Sequence, residues 1–280
     1  MNQENILPIR LRLVGWFSDV MPPALRRAIY RLPVTDILRR WLNRAAPSGY
    51  TWVTVAAGLN KRARLLVDLS CEKFYWLGTY EPDLQVLLPK VLRPGYVAYD
   101  VGAHAGFFSV AMAHLVGPLG QVFAFEPLPE NADKIEAVAI ANNLPRLVTI
   151  RRAVADRCGE AVLYHSGSTS TSSLLGGSSG ITVSLVTLDE FVYGEGYPPP
   201  QLVKLDVEGA ESMVLQGMER LVAEYSPILV IEVHKGQSEA VWSWLVQHNY
   251  IVYRCTSWRH RIRVDEATFS SGHYLAMPKS

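Results

Sequence analysis

Between Val97 and His248 short apolar runs alternate with longer amphipathic stretches, and this alternation limits the fold more than any other feature of the chain. Val97–Tyr99, Val122–Phe125, Val148–Arg151, Leu202–Leu205 and Ile228–Ile231 are short and dominated by β-branched, aromatic and leucine side chains. Phe107–Leu115, Pro129–Asn142, Gly209–Leu221 and Ala240–His248 read as helices, the third with Ala210, Met213, Val214, Gly217 and Leu221 at helical spacing. Short apolar runs without polar alternation suit strands covered on both faces, and strand–helix alternation predicts a mostly parallel sheet with helices on both sides. Tyr250–Tyr253 and Tyr274–Met277 add a terminal antiparallel strand pair, and Ala161–Tyr164 and Val183–Val186 are further strand-like runs. The expected fold class is therefore α/β and Rossmann-like.

Three parts are expected along the chain. Residues 1–49 form an N-terminal helical lead, broken by Pro22, Pro23 and Pro33 and closed by the linker Ala45-Ala46-Pro47-Ser48-Gly49. Residues 50–94 hold a β-hairpin, with strands at 50–56 and 64–69 around Gly58-Leu59-Asn60, and a helix over Asp83–Leu92. Residues 95–280 are the core. The lead carries Arg10, Arg12, Arg26, Arg27, Arg31, Arg39, Arg40 and Arg44 among aromatic and aliphatic residues. Such a surface either packs on the core with its arginines in water, or meets anionic lipid or a partner through the basic residues 10–44.

Composition removes several function classes. A formal net charge of +1 gives no reason to expect nucleic-acid binding. Cys71, Cys158 and Cys255 are far apart, with no CxxC pair and no Cys/His ligand spacing, which argues against zinc and fits a reducing compartment. No secretory-type start and no apolar run of roughly 20 residues occurs, so the expected location is cytoplasmic. Ser166–Gly180 is low in complexity and reads either as a slack surface loop or as a lid beside the acceptor.

In a parallel sheet, ligands sit at the carboxyl ends of the strands. The residues just past those ends are Asp100, Glu126, Asp206 and Glu232-Val233-His234. Asp100-Val101-Gly102-Ala103-His104-Ala105-Gly106 leaves one strand and opens a helix. A dinucleotide fingerprint starting at Gly102 would need glycine at 104 and 107, where His104 and Phe107 stand. A carboxylate at Asp100 repels a pyrophosphate but can meet the ammonium of an amino-acid moiety. Glu126 ends the next strand, where a carboxylate accepts from ribose hydroxyls. The plainer alternative is that each acid caps the helix that follows it.

The ordered series Leu77-Gly78-Thr79-Tyr80-Glu81, Asp100–Gly106, Phe125-Glu126-Pro127, Ala153–Gly159, Thr187-Leu188-Asp189 and Lys204–Glu211 resembles the successive motifs of FkbM-type methyltransferases, from about residue 75 onward. The resemblance implies a class I methyltransferase fold and S-adenosylmethionine as cofactor. It implies that Asp100, Gly102, Ala103, His104 and Gly106 form the cofactor loop and that Glu126 and Pro127 meet the ribose. Ala155 and Asp156 would meet the adenine, and Tyr80 and Glu81 would close over the methionine end. His104 departs from the asparagine usual in that family. The implied activity is O-methylation of a sugar hydroxyl or glycosylated small molecule. An NAD-type oxidoreductase and a non-catalytic S-adenosylmethionine-binding module are the alternatives.

Transfer from a sulfonium to oxygen is an in-line displacement that needs the acceptor oxygen held close and its proton removed. Asp206 is expected to position the acceptor and His234 to act as general base, with Glu208 beside them. Glu211 suits a helix first turn, and Lys204 a buried ion pair. Asp206, Glu208, Glu232 and His234 offer enough ligands for a divalent ion, but no spacing compels one, so no metal is expected.

Overall fold

A computed structural model describes residues 49–165, 172–173, 179–257 and 260–279. The expected helical lead, its basic stretch 10–44 and most of the Ser166–Gly180 loop lie outside the described residues. The described part begins with β1 (Tyr50–Thr54) and β2 (Arg64–Asp68), paired antiparallel, then α1 (Lys73–Leu77) and α2 (Pro82–Val91). Next come β3 (Val97–Val101), α3 (Phe107–Val116), β4 (Gln121–Phe125), α4 (Pro129–Ala141) and β5 (Leu147–Ile150). Four strands follow, β6 (Ala153–Val154), β7 (Gly159–His165), β8 (Ser172–Ser173) and β9 (Ser179–Val186). The last part holds β10 (Leu202–Leu205), α5 (Glu211–Gln216), α6 (Glu219–Tyr225), β11 (Ile228–Val233), α7 (Ser238–Gln247), β12 (Tyr250–Ser257), β13 (His260–Arg263) and β14 (Gly272–Pro278).

The main sheet has the order β13-β12-β14-β11-β10-β3-β4-β5. From β11 to β5 all pairs are parallel, and β14 runs antiparallel to β11 and β12 on its two sides. The expected mostly parallel sheet and terminal antiparallel pair are present, and β13 adds an edge strand that the sequence reading lacked. The chain order reverses between β3 and β10, the place where such sheets bind ligands.

Side-chain alternation along the strands divides the core between two faces. Ala98 and Leu202 pack with Phe107, Val110 and Met112 of α3, Ile135 of α4 and Leu84 and Leu88 of α2. Tyr99, Val101, Val203 and Leu205 pack on the other face with Val214, Leu221, Val241 and Leu245. Val53, Leu65 and Val67 of the hairpin share the first cluster, so the hairpin and α2 complete one face of the sheet. Asp100 and Lys204 belong to that same face and stand opposite each other in the β3–β10 register.

Three elements differ from expectation for local reasons. The helix read over Gly209–Leu221 is two helices, parted where the backbone of Gly217 and Met218 leaves the helical conformation, and at Gly217 a Cβ would come within 2.0 Å of the Ala155 carbonyl oxygen. The second helix is started from afar: Asp189 accepts from the N–H groups of Arg220 and Leu221 at 3.0 and 2.8 Å. Glu208 lies outside both helices, in a left-handed conformation with φ 50°. The runs at 161–164 and 183–186 lie in a separate four-stranded sheet, order β6-β9-β7-β8. Among the described residues no helix is long and apolar enough to cross a membrane.

Candidate active site

The loop after β3 is shaped by backbone conformations that few side chains tolerate. Gly102 has φ 79°, and a Cβ there would sit 1.7 Å from the Asp206 carbonyl oxygen. Only glycine lets the loop lie against the end of β10, and this close approach brings Asp206 beside it. His104 also has positive φ, 49°, a conformation in which His and Asn are over-represented. That shared tolerance accounts for a histidine where the resembling family has asparagine. The His104 ring places Nδ1 3.2 Å from the Tyr75 hydroxyl.

Glu126, at the end of β4, is buried beside the loop. Its carboxylate accepts from the N–H of His104 at 2.8 Å and of Leu128 at 3.0 Å. Burial pushes its pKa up to about 7, even though those two N–H groups and the Asn131 side chain favour the charged form.

A cavity of about 260 Å³ opens on this carboxylate. Phe74 and Tyr75 of α1 and Tyr80 wall one side, with Leu128, Ala153, Val154 and Leu163 also lining it. Tyr80 stacks with Phe74 at 5.4 Å between centroids and meets Tyr75 edge-on at 4.7 Å. Asp206, Val207 and Glu208 contribute the β10 end. Burial raises both tyrosine hydroxyls well above their ordinary range, so they stay protonated.

Of the residues expected at the cofactor, Tyr80, Gly102, His104, Glu126 and Pro127 line this cavity. Ala103 is buried in the core cluster of that face, and Gly106 faces Ile135 of α4, where a Cβ would come within 3.1 Å. Asp100 is fully buried and does not line the cavity. It accepts from the Ser109 hydroxyl at 2.6 Å and pairs with Lys204 Nζ at 3.2 Å. Glu81 is outside the cavity lining and pairs with His273 at 3.3 Å. Ala155 is buried beneath Gly217, and Asp156 pairs with Arg157 at 3.0 Å; neither lines the cavity.

The three residues expected to carry catalysis do come together. Asp206, with an 18% exposed side chain, lies 3.5 Å from Lys204. His234 Nδ1 is 2.9 Å from Glu211, while Nε2 is 3.3 Å from Glu208 and 3.8 Å from Glu232. Burial raises the Asp206 pKa to about 7; Lys204 opposes the rise, Glu232 and Glu81 add to it, and His234 opposes it. Glu208 and Glu211 hold the His234 imidazole protonated, with its pKa raised to about 10 against the pull of burial. Burial pulls the Lys204 ammonium down, but Asp100, Asp206 and Glu81 together carry it above its ordinary range. Among the described residues, Asp206, Glu232 and His234, and separately Glu81, Glu232 and His273, each bring ligand atoms within 4.8 Å of one another, a spacing suited to a cation.

Phe74, Tyr75, Asn131 and Arg152 line the cavity and His273 pairs with Glu81 and Glu232, and the sequence reading named none of the five. The aromatic run Phe74-Tyr75-Trp76 just before Leu77-Gly78-Thr79-Tyr80 was the available signal for the first two. No sequence signal marks His273, whose role depends on register: it stands opposite Glu232 across β11 and β14.

Residues 100–252 match the model of the FkbM methyltransferase domain. The hexuronic acid methyltransferase AglP of Haloferax volcanii is 27% identical over 158 residues, 56% of this chain and 63% of that protein. The 31-O-demethyl-FK506 methyltransferase FkbM of Streptomyces tacrolimicus is 32% identical over 178 residues, 51% of this chain and 67% of that one. The chain thus spans about two thirds of the length of either relative. A crystal structure of the methyltransferase FkbM from Methylobacillus flagellatus KT aligns with 87% of this chain and 59% of its own, at 15% identity and a TM-score of 0.46. The parallel run from β11 to β5, with antiparallel β14 inserted before β12, is the class I methyltransferase arrangement expected from the motif series. Because the domain match covers more than half of the chain, this protein belongs to the FkbM methyltransferase family.

Proposed function

We propose that this protein methylates a hydroxyl of a sugar or glycosylated small molecule, using S-adenosylmethionine, in the cytoplasm. One observation carries the reading: a single cavity joins the buried Glu126 carboxylate, the Phe74–Tyr75–Tyr80 wall and Asp206. These are the partners that a ribose, a sulfonium and an acceptor hydroxyl need. The carboxylate accepts from ribose hydroxyls, the aromatic faces attract a cation, and Leu128, Val154 and Leu163 offer an apolar slot for a purine. The cofactor supplies an electrophilic methyl group when bound. The acceptor class rests on the hexuronic acid named for the Haloferax volcanii relative and on the polar residues at the β10 end.

The electrostatics favour Asp206 as the base. His234 already carries a proton at neutral pH because Glu208 and Glu211 hold it there, so it has no lone pair to offer the acceptor. Asp206 titrates near neutrality, which suits a group that takes a proton and returns it to water. Its carboxylate accepts the hydroxyl proton as the oxygen attacks, and Lys204 at 3.5 Å steadies the charged form before the step. His234 and Glu208 then orient the acceptor's neighbouring hydroxyls as donor and acceptor. The aromatic wall excludes water from the methyl path.

Titration calorimetry with S-adenosylhomocysteine, followed by a labelled-methyl screen of neutral hexosides, hexuronates and glycosylated small molecules, tests the reading. Binding with label incorporated into a sugar hydroxyl is expected. Binding of NAD in place of S-adenosylhomocysteine would overturn it.

A further inference from the structure

We propose that His273 is a positioning residue that docks the Tyr80–Glu81 elbow onto the end of β11, and so sets the aromatic wall against the acidic end of the cavity. The inference rests on the methyltransferase reading for its consequence and on the ion-pair geometry for its substance. His273 opens β14, and its Nε2 lies 3.3 Å from Glu81 Oε2 and 3.2 Å from Glu232 Oε2. The ring is largely buried between these two carboxylates, which carry its pKa up to about 10 against the opposing effect of burial, so it is a cation at neutral pH. The cross-strand register that faces His273 with Glu232 fixes one of the two contacts in the sheet itself.

The other contact reaches into a segment that needs an anchor. Glu81 has φ 38°, an unfavourable left-handed conformation for a glutamate, and stands at the N-cap position of α2 with its side chain making no capping bond. Its neighbour Tyr80 touches Tyr75, Phe107 and Phe74 and lines the cavity. Glu81 and Glu232 bring carboxylate oxygens within 4.8 Å of each other. Without a cation between them they repel, and only the elbow is free to yield, because Glu232 belongs to a central strand. Gln85 contributes a second hold from α2, its side-chain amide donating to the carbonyl oxygens of Tyr80 and Gly78. That contact fixes the elbow to its own helix, the Tyr80 ring packs on Phe107 and Phe108 of α3, and His273 supplies the ion pair that ties the elbow to the end of β11. Glu232 also faces His234, and with Glu81 it raises the proton affinity of Asp206. His273 thus stands between the wall that would hold the sulfonium and the acid that would take the proton.

The test pairs S-adenosylhomocysteine calorimetry with amide hydrogen exchange of residues 78–85 in the full chain. His273→Asn should weaken binding about tenfold and speed exchange across the elbow. Adding Glu232→Gln to that variant removes the repulsion and should recover binding to within about threefold of wild type, with exchange slowed again; a role in fold stability alone predicts no such recovery. If His273→Asn does not fold, Glu81→Ala frees the elbow without creating repulsion and should show the faster exchange with binding about threefold weaker. Unchanged exchange in these single variants, or a loss in His273→Asn that Glu232→Gln leaves in place, overturns the proposal. A wild type that fails to bind S-adenosylhomocysteine sinks the functional reading, and the exchange arm still decides whether His273 docks the elbow.

Discussion

At the β4 end of the cavity one carboxylate, Glu126, is held by main-chain N–H groups of His104 and Leu128. At the β10–β11 end Asp206, Glu208 and Glu232 are held by other side chains, Lys204, His234 and His273. The two constructions respond differently to change. A group gripped by backbone keeps its place as long as the loop keeps its conformation. A group gripped by side chains loses a partner, and shifts its proton affinity, whenever one neighbour is replaced. The first suits a constant ligand such as a cofactor, and the second suits a group that must change its charge during turnover.

The sharpest way to break this comparison is to remove the carboxylate proposed as base and leave the end proposed for the cofactor intact. Asp206→Asn should lower kcat by about 10²–10⁴ on a working acceptor, the usual range for a general base, while S-adenosylhomocysteine affinity stays within a few-fold. A parallel His234→Gln variant should lose less, because His234 orients rather than accepts. If Asp206→Asn kept its kcat and His234→Gln lost it, the roles at this end would be interchanged.

A second test acts on the seam where the two ends meet. Gly102 belongs to the loop after β3 that lines the Glu126 end, yet its missing side chain is what admits the Asp206 carbonyl oxygen. Gly102→Ala should destabilise the fold by at least about 2 kcal/mol, from strain at positive φ and from the clash, read as a fall in the denaturant midpoint at constant m. Near-neutral stability would mean that the loop and the end of β10 are separable, and the contrast between the two ends would lose its structural basis.

The backbone-held end was the more legible in sequence. Gly102 and Glu126 follow apolar runs whose length and order set their place, so a pattern of strands and glycines was enough to bring them together. Asp100 shows the limit of that logic. A strand-end acid was placed at the ligand, but β3 runs on to Val101, so Asp100 lies within the strand, two residues short of the position that Glu126 and Asp206 hold past theirs, and Lys204 and Ser109 bond it there. The pairing with Lys204 depends on the β3–β10 register, which lies about a hundred residues across the sequence and has no local signal. The charge state of His234 was equally hidden, since three carboxylates from two chain segments converge on it. The strand that holds His273 was legible, but its pairing with Glu232 depends on a β11–β14 register that the sequence does not signal, and the Phe74–Tyr75 wall lies on a short helix outside the strand–helix alternation.

The smallest effect separates the two ends by pH. Glu126 has its pKa raised from an ordinary 4.5 to about 7 by burial, so below about pH 7 the ligand-free fold holds it mainly protonated. The stability linked to that proton is fully present below the unfolded value and is lost as pH rises through about 7. Ribose hydroxyls donate to the carboxylate and favour its charged form, so a bound nucleoside pulls this pKa back down. Affinity for S-adenosylhomocysteine should therefore rise by up to about tenfold between pH 6 and pH 8 and level off above, the slope being at most tenfold per pH unit for one proton. Glu126→Gln should flatten the profile and weaken binding at pH 8 by about 1.5–3 kcal/mol, as for loss of charge-assisted hydrogen bonds. Asp206 also has its pKa raised to about 7, but the proposed function gives it the acceptor and not the nucleoside, so Asp206→Asn should leave the slope in place. Calorimetry of the two variants across this range checks the assignment directly. A profile flattened by Asp206→Asn and kept by Glu126→Gln would show that the ligand's hydroxyls lie at the β10 end, and the two halves of the cavity would have to exchange their roles.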